Sequence, residues 1–331
     1  MIEGLTKELP MTHLFNLNIY TKFLIANGNR YSGVEAAKAL TETNDAPAHD
    51  TISRWLNTES FSPNDLWQHV ATHVGKEDDL IIDDSTLDKS FSRKNELVHF
   101  HWSGNAHKTI RGISLVNLLS TNGTTRIPVD YRIYQGSESA ITKNDHMQAM
   151  LDTAKERGLE PRYVMTDSWY SSLDNMKYIV KLGWSFIMGL KENRLVNEVQ
   201  GTYLAVGTLD WTKKNVRKVW LKGFGFVLVA QIVFKNGDIR YVATNDLTLT
   251  VYEDLSDLAK KRWSIEEFHR GIKQTTGIEK CYSIKKTSQQ NHIFASFVAF
   301  VGMEFERLKS GVSWYAQKAQ KVRLGITAAF A

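Results

Sequence analysis

Three acidic positions in this chain sit in surroundings that give a carboxylate something to do. Asp83 and Asp84 close the apolar run of "DLIIDDST", Asp167 closes that of "RYVMTDSWY", and Glu266 stands in the basic stretch "RWSIEEFHRGIKQTTG". Carboxylates at the ends of two strands and a third on a later helix can converge on one point, because catalytic groups of α/β sheets collect at strand ends. Such a trio suits two hard divalent cations, which prefer oxygen ligands. Two ions of that kind activate an attacking oxygen and stabilise a leaving one in phosphodiester displacement.

The helix carrying Glu266 sorts its charges by face. At about 100° per residue from Arg262, Glu266 falls near 40°, His269 near 340° and Lys273 near 20°. These residues share a polar stripe, and Ile265, Phe268 and Ile272 form the apolar face. Glu267 points away from both, so it reads as a solvated surface charge. Glu266 reads either as a site residue or as the partner of Arg262 in an ordinary i,i+4 ion pair worth a few tenths of a kcal/mol.

The elements that must place these groups are legible in outline. Residues 1–75 are helical and polar. In them "GVEAAKAL" and "HDTISRWLN" flank a polar break, with Asp50 as a cap for the second helix. That reads as a helix-turn-helix contacting DNA, with Arg54 on the second helix, or as a plain helical hairpin. From residue 80, "DLIIDDST", "ELVHFHW", "IRGISLVNLLST" and "TRIPVDYRIY" read as strands in a meander. Two helices with glycine stops then alternate with "RYVMTDSWY" and "SFIMGLK", an α/β pattern. Residues 195–250 alternate apolar and polar around a "KNGD" hairpin, which predicts an antiparallel insert standing apart from the central sheet. The rest, 251–331, is helical.

Composition bounds the class. The chain has 331 residues, 42% hydrophobic, with a net charge of +5, an ordinary globular composition with a mild basic excess. Its single cysteine, Cys281, excludes an intramolecular disulfide and a cysteine zinc cluster. No leader or span is expected, which suggests a cytosolic protein with no membrane contact. His99, His101 and His107 invite a zinc reading, but no fourth ligand is evident, and polar strand residues with turn histidines are common.

Taken in order, these residues resemble the bacterial insertion-sequence transposases with an RNase H-like DDE catalytic domain. They resemble most the subgroup marked Y-(2)-R-(3)-E-(6)-K. Arg262, Glu266 and Lys273 match its R, E and K, while Ala259 stands where its tyrosine would be. "IIDDST" and "VMTDSWYSS" resemble its two aspartate strands. Either Asp83 or Asp84 fits the first pattern, and strand alternation lets only one point into the site, with Asp83 favoured. The resemblance covers roughly residues 80–310.

It implies an α/β catalytic domain over 76–194 and 251–331, a β-rich insertion over 195–250 and a DNA-binding region over 1–75. It further implies Mg2+, two ions, with Mn2+ able to substitute, held by Asp83, Asp167 and Glu266. The activity implied is cut-and-paste transposition by a homodimer on double-stranded DNA, the element's inverted repeats and a target, in the bacterial cytoplasm and nucleoid. Arg262 and Lys273 would position phosphates, and His269, beside them on the stripe, would also contact the DNA. Lys191, Asn193 and Arg194 follow a strand and would grip phosphate or sit in a solvated loop. Trp169 would stack on a base or pack the sheet together with Tyr170. A nuclease that does not join strands and a non-catalytic DNA-binding remnant are the rival readings.

Overall fold

The computed structural model describes residues 15–28, 30–40, 47–92, 94–103, 108–136, 139–199, 201–234 and 236–328. Helices α1 (Leu17–Ala26), α2 (Gly33–Leu40), α3 (His49–Thr58) and α4 (Pro63–Val70) come first. Strands β1 (Asp79–Asp88), β2 (His99–Ser103), β3 (Lys108–Thr121) and β4 (Ile127–Tyr134) follow. Next, α5 (Lys143–Glu156), β5 (Tyr163–Thr166), α6 (Leu173–Lys181) and β6 (Ser185–Leu190) alternate. Strands β7 (Leu195–Asn197), β8 (Leu204–Ala205), β9 (Val216–Leu221), β10 (Gly225–Val233) and β11 (Ile239–Thr244) lead into the last helices. These are α7 (Tyr252–Lys261), α8 (Ser264–Thr276), α9 (Lys286–Ser310) and α10 (Trp314–Ala328).

The chain forms two compact units, one of residues 63–91 and 97–271, the other of 1–62, 92–96 and 272–331. The expected boundary near residue 75 is therefore not where the compact units divide. The residues after 271 group with the N-terminal helices, and α4 groups with the sheet. The physical reason lies in the apolar faces: Tyr20, Leu24, Ile52 and Trp55 of α1 and α3 share a core with Ala295 and Ala299 of α9.

In the helical unit, buried His292 bonds the Tyr20 hydroxyl at 2.8 Å and the Gly277 carbonyl at 3.0 Å. The two helices read as a helix-turn-helix form as α2 and α3 and pack together. Asp50 does not cap α3. The cap position is Ala48, without a side-chain bond, and Asp50 lies in the first turn, paired with Arg54 at 3.5 Å. The "TETNDA" part of the polar break lies outside the described residues.

The other unit is built on one mixed sheet. Among the described residues eleven strands run β2-β3-β1-β5-β6-β11-β10-β9-β7-β8, with β4 on β3. Strand β1 pairs antiparallel with β3 and parallel with β5, and β5 pairs parallel with β6. The meander is thus β2–β3–β4, and β1 lies against β3 rather than β2. Parallel strands need coverage on both faces, and the residues of β5 are all buried. Helix α5 opens with a capping box between Thr142 and Asp145, α6 with Ser172 as cap. Gly158 and Gly183, at φ 77° and 84°, follow the ends of these two helices, the left-handed conformation that favours glycine.

Residues 195–250 are β-rich as expected, but they do not stand apart. Strand β11 pairs antiparallel with β6, from Leu190–Tyr241 to Ile187–Thr244, so the segment continues the central sheet. An open β6 edge would leave backbone groups without ladder partners, and β11 supplies them.

Candidate active site

The parallel pairing of β1 with β5 sets the geometry. Its last rung joins Ile82 to Thr166, and the next residues along each strand are Asp83 and Asp167. Asp83 lies within β1, which runs on to Asp88 against β3, rather than at the strand end expected, whereas Asp167 directly follows β5. Neighbouring strands lie about 4.8 Å apart, so the two residues stand beside each other where the parallel pairing stops. Asp167 is held by its own turn, where its Oδ1 accepts the backbone N–H of Trp169 at 2.9 Å and of Tyr170 at 3.4 Å. Gly189 of β6 makes room for that turn. A Cβ there would lie 2.9 Å from the Ser168 nitrogen and 3.3 Å from the Asp167 carbonyl carbon. No feature of "IMGLK" distinguishes this glycine in the sequence, because the close approach comes from a neighbouring strand.

Burial, then the charges of Asp167, Asp84 and Glu266, push the Asp83 carboxyl well above the usual carboxylate range, with Arg262 pulling the other way. Four carboxylates from β1, the end of β5 and α8 therefore share one electrostatic neighbourhood. The neighbouring Asp84 turns to different partners. Its Oδ2 accepts from Lys143 Nζ at 2.6 Å and its Oδ1 from the buried Tyr170 hydroxyl at 3.3 Å. Lys143, 59 positions away in sequence, opens α5 and also lies 5.6 Å from the Trp169 ring. Sequence reading missed Lys143 because only the fold brings it to β1.

On α8, Glu266 Oε1 lies 3.7 Å from Arg262 Nη2, so the i,i+4 pair exists while the carboxylate also faces Asp83. Arg262 is largely buried, and its Nη1 has no hydrogen-bond partner. Glu267 is not the solvated charge expected: Arg126, which precedes β4, grips its Oε2 through Nε at 2.6 Å and through Nη2. The wheel could not show what the sheet offers there. His269 Nε2 bonds the Asn117 side-chain amide at 3.0 Å, and Asn117 is the β3 partner of Asp83. Lys273 pairs with Glu279 at 3.1 Å.

Asp167 and Glu266 line a cavity of about 1500 Å³ together with Lys191, Asn193, Arg240 and Arg262. Tyr252, Ala259 and Trp263 also face it. Arg194 turns elsewhere, with its Nη2 buried and unpartnered. Trp169 is half exposed and Tyr170 fully buried, so the pair splits between surface and core. His99 and His101 meet edge to face at 6.3 Å, and His107 lies outside the described residues. Among the described residues no three His, Cys, Asp or Glu side chains converge as a ready-made metal cage.

A family model described as "Transposase DDE domain" matches residues 75–301, from just before β1 into α9. The chain belongs to the transposase DDE domain family. No curated protein matches it in sequence. In fold, this transposase is similar to the piggyBac transposase in its synaptic complex with hairpin DNA. The TM-score is 0.55 and the identity 11%, over 97% of this chain and 73% of that one. A Drosophila P element transposase in a strand transfer complex aligns at 11% identity over 96% of this chain and 85% of that one. Its TM-score of 0.30 is too low to carry an argument. No described helix of the transposase is long and apolar enough to cross a membrane.

Proposed function

We propose that this transposase cuts and joins DNA at the ends of an insertion sequence by the cut-and-paste route, using Asp83, Asp167 and Glu266 as a metal-holding triad. The observation that carries this reading is the convergence of Asp83, Asp167 and Glu266 on one neighbourhood, where burial first and the other carboxylates next raise the Asp83 carboxyl. Carboxylates so placed repel one another unless cations lie among them. Mg2+ takes one or two carboxylates and keeps water or substrate oxygens for its remaining positions, so the donor set fits without a closed cage. Mn2+ accepts the same oxygen donors. When bound, the ions would activate the attacking oxygen and neutralise charge on the scissile phosphate.

The residues around the triad supply the remaining work. Arg262 has a buried guanidinium nitrogen without a protein acceptor, beside the carboxylates, which suits a phosphate oxygen. Lys191 and Asn193 face the same cavity and would contact the backbone of the bound strand. His269 acts through Asn117, orienting the strand beside Asp83. Asp84, tied to Lys143 and Tyr170, serves to fix these groups and leaves the ligand role to Asp83.

Water would cut one strand at each element end, and the freed 3′-OH would attack target DNA without a covalent protein intermediate. The β3–β1–β5–β6 order, with Asp83 and Asp167 just beyond the β1–β5 pairing, supports an RNase H-like reading of the core. The Arg262, Glu266 and Lys273 spacing favours the Y-R-E-K bacterial subgroup. DNA as partner agrees with the hairpin DNA in the piggyBac complex. Trp169 would extend the contact, Arg54 on α3 and Lys273 would bind DNA from the helical unit, and a homodimer would hold two ends.

The test is incubation of the protein with duplex DNA carrying the element's ends, Mg2+ and a target plasmid. Nicked ends and joined products are expected, and Glu266→Gln should lose both while still binding DNA. Nicks without joined products would reduce the protein to a nuclease, and no nicking by the wild type would overturn the catalytic reading.

A further inference from the structure

Strand β9 carries an alternation that the reaction centre does not use. Within "VRKVWLKGFGF", Lys218 and Trp220 alternate with buried Val219 and Leu221, and exposed Lys222 is the first residue after the strand. Residues two apart on a strand share a face. Across the hairpin Phe226 is the register partner of Trp220, and their rings meet edge to face at 5.0 Å. Lys218 Nζ lies 4.7 Å from the Phe226 ring centre, and Lys222 Nζ lies 5.5 Å from that of Tyr203. Trp220 is 43% exposed, Phe226 51% and Tyr203 40%. Three aromatic rings interleaved with two lysines therefore stand open to solvent on the outer strands.

The two faces of β9 differ in charge. Arg217, on the opposite face, is neutralised by Glu198 at 2.6 Å. No ion pair engages Lys218 or Lys222 among the described residues, so their charge is free for an outside partner. We propose that this face binds an unpaired DNA strand, with bases stacked on Trp220, Phe226 and Tyr203 and phosphates held by Lys218 and Lys222. Exposed rings accept any base face, and lysines between them meet the backbone; that combination defines sequence-tolerant single-strand binding. A second copy of this chain suits the face poorly, because a two-fold contact would bring the lysine rows of both copies together. The choice of DNA rests on the transposase reading, while the site itself is separate from the carboxylates.

Fluorescence anisotropy of the full chain with a labelled oligothymidine, against a duplex without element ends, tests the proposal at fixed salt. Replacing Trp220 and Phe226 together by alanine should weaken oligothymidine binding about tenfold or more, the effect of losing stacked bases, and change duplex binding less than twofold. Lys218→Ala with Lys222→Ala should flatten the salt dependence, by roughly 0.7 in log–log slope per lost phosphate contact. Trp220→Phe with Phe226→Tyr, which keeps the rings, should retain binding and guards against simple unfolding.

Unchanged oligothymidine affinity in the alanine pair would overturn the proposal, as would equal loss on duplex and single strand. Conversion of a dimer to a monomer with single-strand affinity intact would give the face to a second copy. A wild type that binds oligothymidine through these residues but never nicks DNA would sink the catalytic reading and leave this one standing.

Discussion

Asp83 and Asp167 each stand one residue beyond Ile82–Thr166, the last pair that joins β1 to β5. Backbone hydrogen bonding, rather than any attraction between the side chains, holds the two carboxylates together. The fold therefore bears a standing repulsion that a bound cation would relieve.

That repulsion has a measurable pH signature. The folded Asp83 carboxyl is raised above its unfolded value, near 3.8, by burial and by the charges of Asp167, Asp84 and Glu266. Its contribution to stability is full below that value and is lost as pH rises through the folded pKa. Asp83→Asn should raise the Tm of the metal-free protein at pH 7 by a few degrees, with the gain shrinking as pH falls toward 4. Mg2+ should raise the Tm of the wild type and not that of the variant, because a ligand stabilises the state that binds it. Thermal melts across pH, with and without Mg2+, check both. A lower Tm for Asp83→Asn at pH 7 would count against the repulsion.

Asp84 should behave in the opposite way. Lys143→Met leaves Asp84 without its cation beside Asp83 and should cost about 1–3 kcal/mol, the range for stranding a part-buried charge. Adding Asp84→Asn to that variant should recover part of the loss. Asp84→Asn alone should keep the Tm rise with Mg2+, and loss of that rise would make Asp84 a ligand.

The adjacent glutamates of α8 separate chemistry from support. Glu266→Gln should abolish strand cleavage with DNA binding largely intact. Glu267→Gln loosens the Arg126 grip, costing below about 1 kcal/mol at this half-exposed position, and should leave cleavage near wild type. Equal loss of cleavage in both variants would contradict the division of roles.

Ala259 faces the cavity with Tyr252 and Trp263, leaving space where the resembled subgroup has a tyrosine. Ala259→Tyr should raise, or at least not lower, the yield of processed ends, with the first nick unchanged. Gel assays that resolve the nick from later products decide this, and a marked fall in the first nick would mean that the alanine is needed for packing.

Much of this site was legible in the sequence because it depends on local pattern. An apolar run ending in an acid located the exit of β5 at Asp167, although β1 runs on past Asp83 to Asp88, and the helical wheel separated Glu266 from Glu267. Neither pattern contains the partner across space. The Lys143–Asp84 pair, the Arg126 grip on Glu267 and the His269–Asn117 bond join positions 59, 141 and 152 apart. Short alternating runs likewise identified β7 to β11 but could not reveal that β11 hydrogen-bonds to β6, since register is a property of two strands.

That last pairing bears on how this protein can be cut or rebuilt. Residues 195–250 cannot be lifted out like a cassette. Removing them would bare the β6 edge, an invitation to aggregation, and would strip Arg240 and Tyr241 from the cavity wall. Shortened variants seeking a minimal catalytic core would have to keep β11 or supply another strand in its place.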